Sequence, residues 1–263
     1  MTRWPGTARL LDGLAFSSLL ASAIGAGLSL VASRALLAPD AGRSALLAGS
    51  GAFLIYTLDR LRDADRDRDT APARTAFVQR HRRSLTAALV VAGLFFAAAW
   101  LTAPPAIQGL CVGIGVVGLL HRRLKTHPVL KTGYVSLAWV AGCVGIPWIA
   151  ADRPGEGLWL AGSLLAVLVA NLIASNLRDA EAHPLPARPE TILSIAFTAT
   201  AISMTVALLA PGTAVVAGWI ALLECLALAG FRADERYGLI VIDGALLVGC
   251  LLAWLQLGLL SGS

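Results

Sequence analysis

The chain has 263 residues, 57% of them hydrophobic and only 14% charged, with a formal net charge of +5. Its near-uncharged runs of 17 to 25 residues, each long enough to cross the ~30 Å hydrocarbon layer of a bilayer, exclude a soluble globular domain. The positive balance calls for no nucleic acid, since basic loops beside anionic lipid account for it.

With no water in the lipid core to satisfy backbone groups, such runs must be helical. The first, at 13–37, is too long for a cleavable signal peptide and opens a series of spans; its small residues, ASAIGAGLS at 21–29, permit close helix packing. The second, 42–58, leads into a dense charge cluster, DRLRDADRDRD at 59–69, which Pro72-Ala73-Arg74 closes. Runs at 84–103 and 105–120 flank the uncharged turn TAPPA, and the basic loop HRRLK at 121–125 follows. Then come 129–151, 157–177, the acidic stretch LRDAEAHPLPAR at 177–188, and runs at 190–210, 213–231 and 237–260. The expected architecture is all-α and polytopic: a single transmembrane domain over 1–263, crossing the membrane nine times.

Orientation follows from the basic residues. With a cytoplasmic amino terminus, 18 of the 21 Lys and Arg lie in cytoplasmic segments, leaving Arg34, Arg43 and Arg153 outside. This bias fits the positive-inside rule for nine spans in the cell (inner) membrane, with the charged loops cytoplasmic and the carboxyl terminus external. Trp100, Trp148, Trp159 and Trp254 then fall near the external interface. Cys111, Cys143, Cys225 and Cys250 stand singly within spans and read as small apolar residues. No GxxxxGK[ST], HExxH or CxxC occurs.

If the second helix continues for two turns past the membrane, Asp59, Asp63 and Asp67 line one stripe, with Asp65 and Asp69 roughly opposite. Stacked carboxylates need a positive partner, and two readings are open. One is a solvated helix laced by the i,i+3 pairs Asp59–Arg62, Asp63–Arg66 and Asp65–Arg68. The other is Mg²⁺, which takes one or two carboxylates and completes its shell with water and phosphate oxygens.

A second copy favours the metal. LRDADRDRDTAPAR at 61–74 and LRDAEAHPLPAR at 177–188 share LRDA, a following acid (Asp65, Glu181) and a closing P-A-R (Arg74, Arg188). Both follow a span, with an even number of helices between them, which predicts two parallel repeats whose acidic ends face each other across a central cavity. Two more acids, Glu224 and Asp243, lie within expected spans, roughly 10 Å below the cytoplasmic surface. Intramembrane acids are costly and usually face an interior cavity. They read either as groups that orient or deprotonate a ligand or as hydrogen-bonding partners of a neighbouring helix. Asn171 and Ser175, two turns and one turn before Asp179, read as cavity lining or as helix-to-helix polar packing.

This combination resembles the UbiA superfamily of intramembrane prenyltransferases, nine-helix bundles with an NxxxDxxxD-like motif after the second helix and a DxxxD-like motif after the sixth. Asp59-xxx-Asp63-xxx-Asp67 is similar to the first motif, with Asp in place of Asn. NLRDAEAH is similar to the second, placing Asn176, Asp179, Glu181 and His183 on its positions, where Asn176 and His183 replace common acids. The loop at 121–139 is similar to the family's YxxxK segment, with His121 for Tyr and Lys125 for Lys.

The resemblance implies Mg²⁺ held by Asp59, Asp63, Asp67, Asp179 and Glu181, with Asp63 and Asp179 essential to catalysis. It implies diphosphate contacts from Arg62, Arg74, Lys125, Lys131 and Arg178, although ordinary positive-inside anchoring explains Lys125 equally well. Asn171, Ser175, Asn176, Glu224 and Asp243 would line the acceptor side of the cavity. The implied activity transfers a prenyl group from a prenyl diphosphate to a hydrophobic acceptor (aromatic, quinone precursor, tetrapyrrole or lipid) within membrane lipid. A terpene cyclase would share the ionisation step and need no acceptor. A transporter is a third reading, against which most charge gathers at one face rather than at the midplane.

Overall fold

The computed structural model describes residues 5–65, 68, 71–124, 128–151, 154–178 and 187–261. Among them the regular structure is entirely helical, as backbone buried in lipid requires. Twelve α-helices follow in chain order: α1 Pro5–Phe16, α2 Leu19–Ala35, α3 Ala41–Asp63, α4 Pro72–Arg80, α5 Arg82–Leu101, α6 Pro105–Leu124, α7 Pro128–Val140, α8 Ile146–Ala150, α9 Pro154–Arg178, α10 Pro189–Leu209, α11 Ala217–Ala229 and α12 Asp243–Ser261. π-Helical turns at Ala141–Gly145 and Tyr237–Ile242 and a 3₁₀ turn at Gly212–Val216 lead into α8, α12 and α11.

Among the described residues, six helical segments are long and apolar enough to cross a membrane: Arg82–Leu101, Val129–Ala150, Gly155–Arg178, Pro189–Leu209, Gly212–Ala229 and Tyr237–Leu260. A seventh is the bent pair Leu10–Phe16 and Leu19–Ala35, if it counts as one span. The chain is therefore an all-helical, membrane-embedded protein. The runs expected at 42–58 and 105–120 are helical but fall short of that measure. α3 carries Arg43 near its start and Asp59, Arg60, Arg62 and Asp63 in its last turns, while the apolar part of α6 is the shorter Pro105–His121.

Three local departures from the expected layout have visible causes. α1 meets α2 at 67°, because Ser18 sits in the left-handed region at φ 68°, where a helix cannot continue. The expected span 129–151 contains a π turn just before Pro147; proline has no N–H to give and crowds the carbonyl a turn back, and the wider turn accommodates both. α4 is a helix within what reads as a cytoplasmic loop. Pro72 opens it with a preset φ, and it buries Thr75 and Val78.

Close backbone approach holds the bundle together. A Cβ at Gly25 would meet the Ala48 carbonyl oxygen at 3.0 Å, and one at Gly49 would meet the Ser22 carbonyl at 3.1 Å. Ser22 Oγ donates to the Gly49 carbonyl at 2.9 Å, which fastens α2 to α3. Small residues serve lipid-embedded helices this way because packing, rather than expulsion of water, drives their association. α9 and α10 are joined by Ser163 and Ser203, whose hydroxyls donate to each other's backbone carbonyls at 3.1 and 2.8 Å. The main core lies where α2, α9, α11 and α12 converge, around Leu28, Val31, Leu164, Val167, Ile220 and Leu246.

The two ends of the bundle differ in chemistry. At one, Arg43 bonds the Thr102 carbonyl, Thr213 bonds the Ala35 carbonyl and Arg34 lies over the Trp254 ring. The other receives the ends of α1, α3 and α9 and the starts of α4 and the Tyr237–Ile242 turn, and it carries the acidic and basic residues singled out above.

Candidate functional site at the charged end

α3 determines which charges turn inward. Its buried face runs through Phe53 and Thr57, and continuing by steps of three brings Arg60 and Asp63 onto that face while Arg62 turns outward. Asp63 is only 1% exposed, Asp59 and Arg60 are half-buried, and Arg62 is exposed. The helix ends at Asp63, so it does not run on for the two turns expected to align a third carboxylate. Beyond it, Asp65 and Arg68 form the anticipated i,i+3 pair at 3.6 Å, both largely in solvent.

Arginines gather here from three elements. Arg60 Nη1 donates to the Ala15 carbonyl of α1 at 2.9 Å, and Arg60 lies within electrostatic range of Arg74 on α4 and of Arg178 at the end of α9. The Arg74 backbone N–H donates to Glu235 Oε1 at 2.9 Å, which fixes α4 against the segment before the π turn. Arg178 donates from Nη2 to Ser175 Oγ at 2.9 Å. Its stem crosses Gly238, where a Cβ would meet Arg178 Cδ at 2.7 Å, so the glycine makes room for the arginine. Three guanidinium groups so gathered repel one another, and Asp243 offsets part of that repulsion at Arg60.

α1 closes over this end. Asp12 takes two hydrogen bonds from Arg236, at 3.0 and 2.9 Å. Phe16 and Phe77 rings meet at 5.9 Å, and Ala15 and Phe16 pack with Leu239.

Aromatic side chains line the neighbouring face. Tyr56 on α3 accepts a hydrogen bond from Trp139 Nε1 at 3.1 Å, and lies within electrostatic range of Asp243, Arg60 and Asp59. Tyr134 on α7 pairs with His121 Nδ1 at 2.7 Å, tying the end of α6 to α7 where the YxxxK likeness was drawn, and it too is within range of Asp59. Asn176 donates to Thr132 Oγ1 at 2.8 Å and so joins α9 to α7; Lys131, the residue before Thr132, is half-buried.

Deeper in the bundle, Asn171 Nδ2 donates to Asp243 Oδ1 at 3.2 Å. Glu224 on α11 is within electrostatic range of Asp243 and interacts with Asn171. The structure thus brings Asp59, Asp63, Arg74, Arg178, Asn171, Ser175, Asn176, Glu224 and Asp243 to the helix ends and inner faces near the charged end, and turns Arg62 away. Asp67, Lys125, Asp179, Glu181 and His183 lie outside the described residues. Among the described residues, no group of three His, Cys, Asp or Glu is placed to hold a metal ion.

Arg60, Tyr56, Trp139 and Tyr134 were not singled out by the sequence. For Arg60 the signal existed: the buried stripe of α3, extended by one more turn, selects Arg60 over Arg62. The chain matches no protein-family model, no curated protein and no solved structure.

Proposed function

We propose that the charged end binds the diphosphate of a prenyl donor, and that the chain transfers the prenyl group to a hydrophobic acceptor within the membrane. In this reading the chain is a nine-span, UbiA-type bundle of two parallel repeats around a central cavity, with the charged end cytoplasmic. The observation that carries it is the convergence of Arg60, Arg74 and Arg178 from α3, α4 and α9 beside the Asp59 and Asp63 carboxylates on the last turns of α3. A site rich in both signs suits a polyanion that arrives with a divalent cation.

The donor set is compatible with Mg²⁺. Asp59 and Asp63 supply hard oxygen ligands one turn apart, and Mg²⁺ asks only one or two carboxylates of a protein when phosphate oxygens and waters fill the remaining positions. Asp67, Asp179 and Glu181 are the further ligands in this reading. When bound, the ion neutralises diphosphate charge and so lowers the barrier to its departure.

The side chains divide the rest of the work. As the C1–O bond breaks, its electron pair leaves with the diphosphate oxygen, and Arg60, Arg74 and Arg178 hold the charge that develops there, with Lys125 and Lys131 as further phosphate partners in this reading. Arginine's forked donors suit two phosphate oxygens at once. The allylic cation left behind is shielded from water by the apolar helices, and the faces of Tyr56, Trp139 and Tyr134 offer it electron-rich surface. The acceptor then forms the new bond to C1 and loses a proton.

Binding of radiolabelled geranylgeranyl diphosphate to the purified chain, with and without Mg²⁺, tests this reading. Expected is saturable binding that EDTA abolishes. Binding that ignores the metal, or no binding, would overturn it. A hydrocarbon product formed without any acceptor would assign cyclisation instead of transfer.

A further inference from the structure

The connection between α11 and α12 reaches each arginine of the cluster through a different residue. Glu235 Oε1 receives the Arg74 backbone N–H at 2.9 Å. Arg74 lies in the first turn of α4, where Ala71 at the N-cap offers no side-chain acceptor; a carboxylate 161 positions away in the sequence supplies one instead. Arg236 gives Asp12 two hydrogen bonds and so fixes α1, whose Ala15 carbonyl, on the next turn, holds Arg60 Nη1. Gly238 lies against the stem of Arg178, where a Cβ would come within 2.7 Å of Cδ and 3.0 Å of Nη1.

The segment that does this is itself held firmly. Asp234 Oδ1 accepts the backbone N–H groups of Arg236 and Tyr237, at 3.0 Å each, closing the turn ahead of the π-helical stretch Tyr237–Ile242. Tyr237 donates its hydroxyl to the Ala227 carbonyl at 2.8 Å, and its ring meets Phe231 edge-on, which clamps the segment to the end of α11. The π turn, a distortion frequent at functional sites, contains the glycine that meets Arg178. Long side chains of like charge spread apart unless something fixes where they start and point. Here a helix cap, an ion pair relayed through α1 and a missing side chain do so from one short stretch of chain.

We propose that Glu235, Arg236 and Gly238 are positioning residues for the anion site, and that Gly238 acts on Arg178 by lacking a side chain. That the anion is a diphosphate rests on the prenyl-transfer reading; the placement of the arginines does not. Gly238 has no need of glycine's backbone freedom, because its φ lies outside the left-handed region. A methyl group there would meet the outer atoms of a flexible side chain rather than backbone, so Arg178 yields and the helices stay. Alanine at this position therefore moves a guanidinium without unpacking the bundle.

The experiment measures binding of inorganic pyrophosphate with Mg²⁺ to the full chain in detergent, by calorimetry, for wild type, Gly238→Ala, Arg178→Ala and the double variant, alongside thermal melts. Gly238→Ala should bind about tenfold more weakly while melting close to wild type. On the Arg178→Ala background the same change should shift affinity by less than about twofold, because its effect passes through the arginine. Phenylglyoxal modification of Arg178, mapped by mass spectrometry without ligand, should run faster in Gly238→Ala as the displaced side chain loses its cover. Should Gly238→Ala not fold, Glu235 decides the matter: Glu235→Leu should weaken pyrophosphate binding, and Glu235→Gln, which keeps an acceptor oxygen for the Arg74 N–H, should restore most of it. Wild-type affinity in Gly238→Ala, an equal loss on both backgrounds, or undiminished binding in Glu235→Leu overturns the inference and leaves the diphosphate reading standing. No pyrophosphate binding to wild type overturns that reading, and the phenylglyoxal rates then decide the placement, which equal rates in wild type and Gly238→Ala would overturn.

Discussion

Two sets of interior polar groups in this bundle behave in opposite ways. Between α9 and α10, Ser163 and Ser203 donate to each other's backbone carbonyls, with the hydroxyl oxygens 3.0 Å apart, and the exchange satisfies both. Around α3, α4, α9, α11 and α12, arginines gather beside arginines, a carboxylate is buried at a helix end, and Glu224 is wholly buried near Asp243 and Asn171. The first set is complete without a ligand and serves as glue. The second gathers charge where the proposed ligand would bind, and variants in each set should therefore move different observables.

The largest effect is expected at the charged end. Asp63→Asn keeps the shape of the side chain and removes its charge, and turnover should fall by about a hundredfold or more, with Arg60→Ala in the same range. Melting temperature in Asp63→Asn should stay close to that of wild type. Steady-state assays with geranylgeranyl diphosphate, paired with thermal melts, check both; full activity in Asp63→Asn would contradict its assignment as a metal ligand.

Apolar packing contacts and the serine pair should answer in stability instead. A Cβ at Gly249 would meet Ile220 Cα at 2.6 Å, and since a backbone atom cannot swing aside, Gly249→Ala must push α12 away from α11. The expected cost is about 2 kcal/mol, measured by unfolding titration in mixed micelles. Ser163→Ala should cost less, about 1 kcal/mol. Because the two hydroxyl oxygens lie 3.0 Å apart in one exchange, Ser163→Ala and Ser203→Ala should couple, not simply add, in the double variant. Neither should change diphosphate binding.

These contrasts also explain what was legible in the sequence. The helical, membrane-embedded class could be read because lipid leaves the backbone no alternative, and helices lie on all the apolar runs. Glu224 and Asp243 stood out as acids in apolar surroundings, a signal that needs no knowledge of the neighbours. α4 escaped notice because a short helix that buries only Thr75 and Val78 leaves too faint a period to separate from a charged loop. The Ser163–Ser203 exchange was invisible because it depends on how two helices rotate against each other, which neither sequence segment encodes by itself. At α3 the expected carboxylate stripe was one turn too generous: the acidic spacing was extrapolated past Asp63, where the helix stops, although the apolar register behind it pointed to Arg60.

That register supports the smallest expected effect. Arg60 and Arg62 are two residues apart, about 200° around a helix, and so cannot share a face. Arg60 reaches the Ala15 carbonyl and the arginine cluster, whereas Arg62 is exposed, where a charge is screened and its partners are loosely held. Arg62→Ala should therefore leave diphosphate affinity within about twofold of wild type, while Arg60→Ala weakens it by far more. Because both variants remove the same charge from the same turn, unequal losses would report geometry rather than net charge. Equal losses would mean that the ligand samples the outer surface of α3, and that its buried register does not define the site.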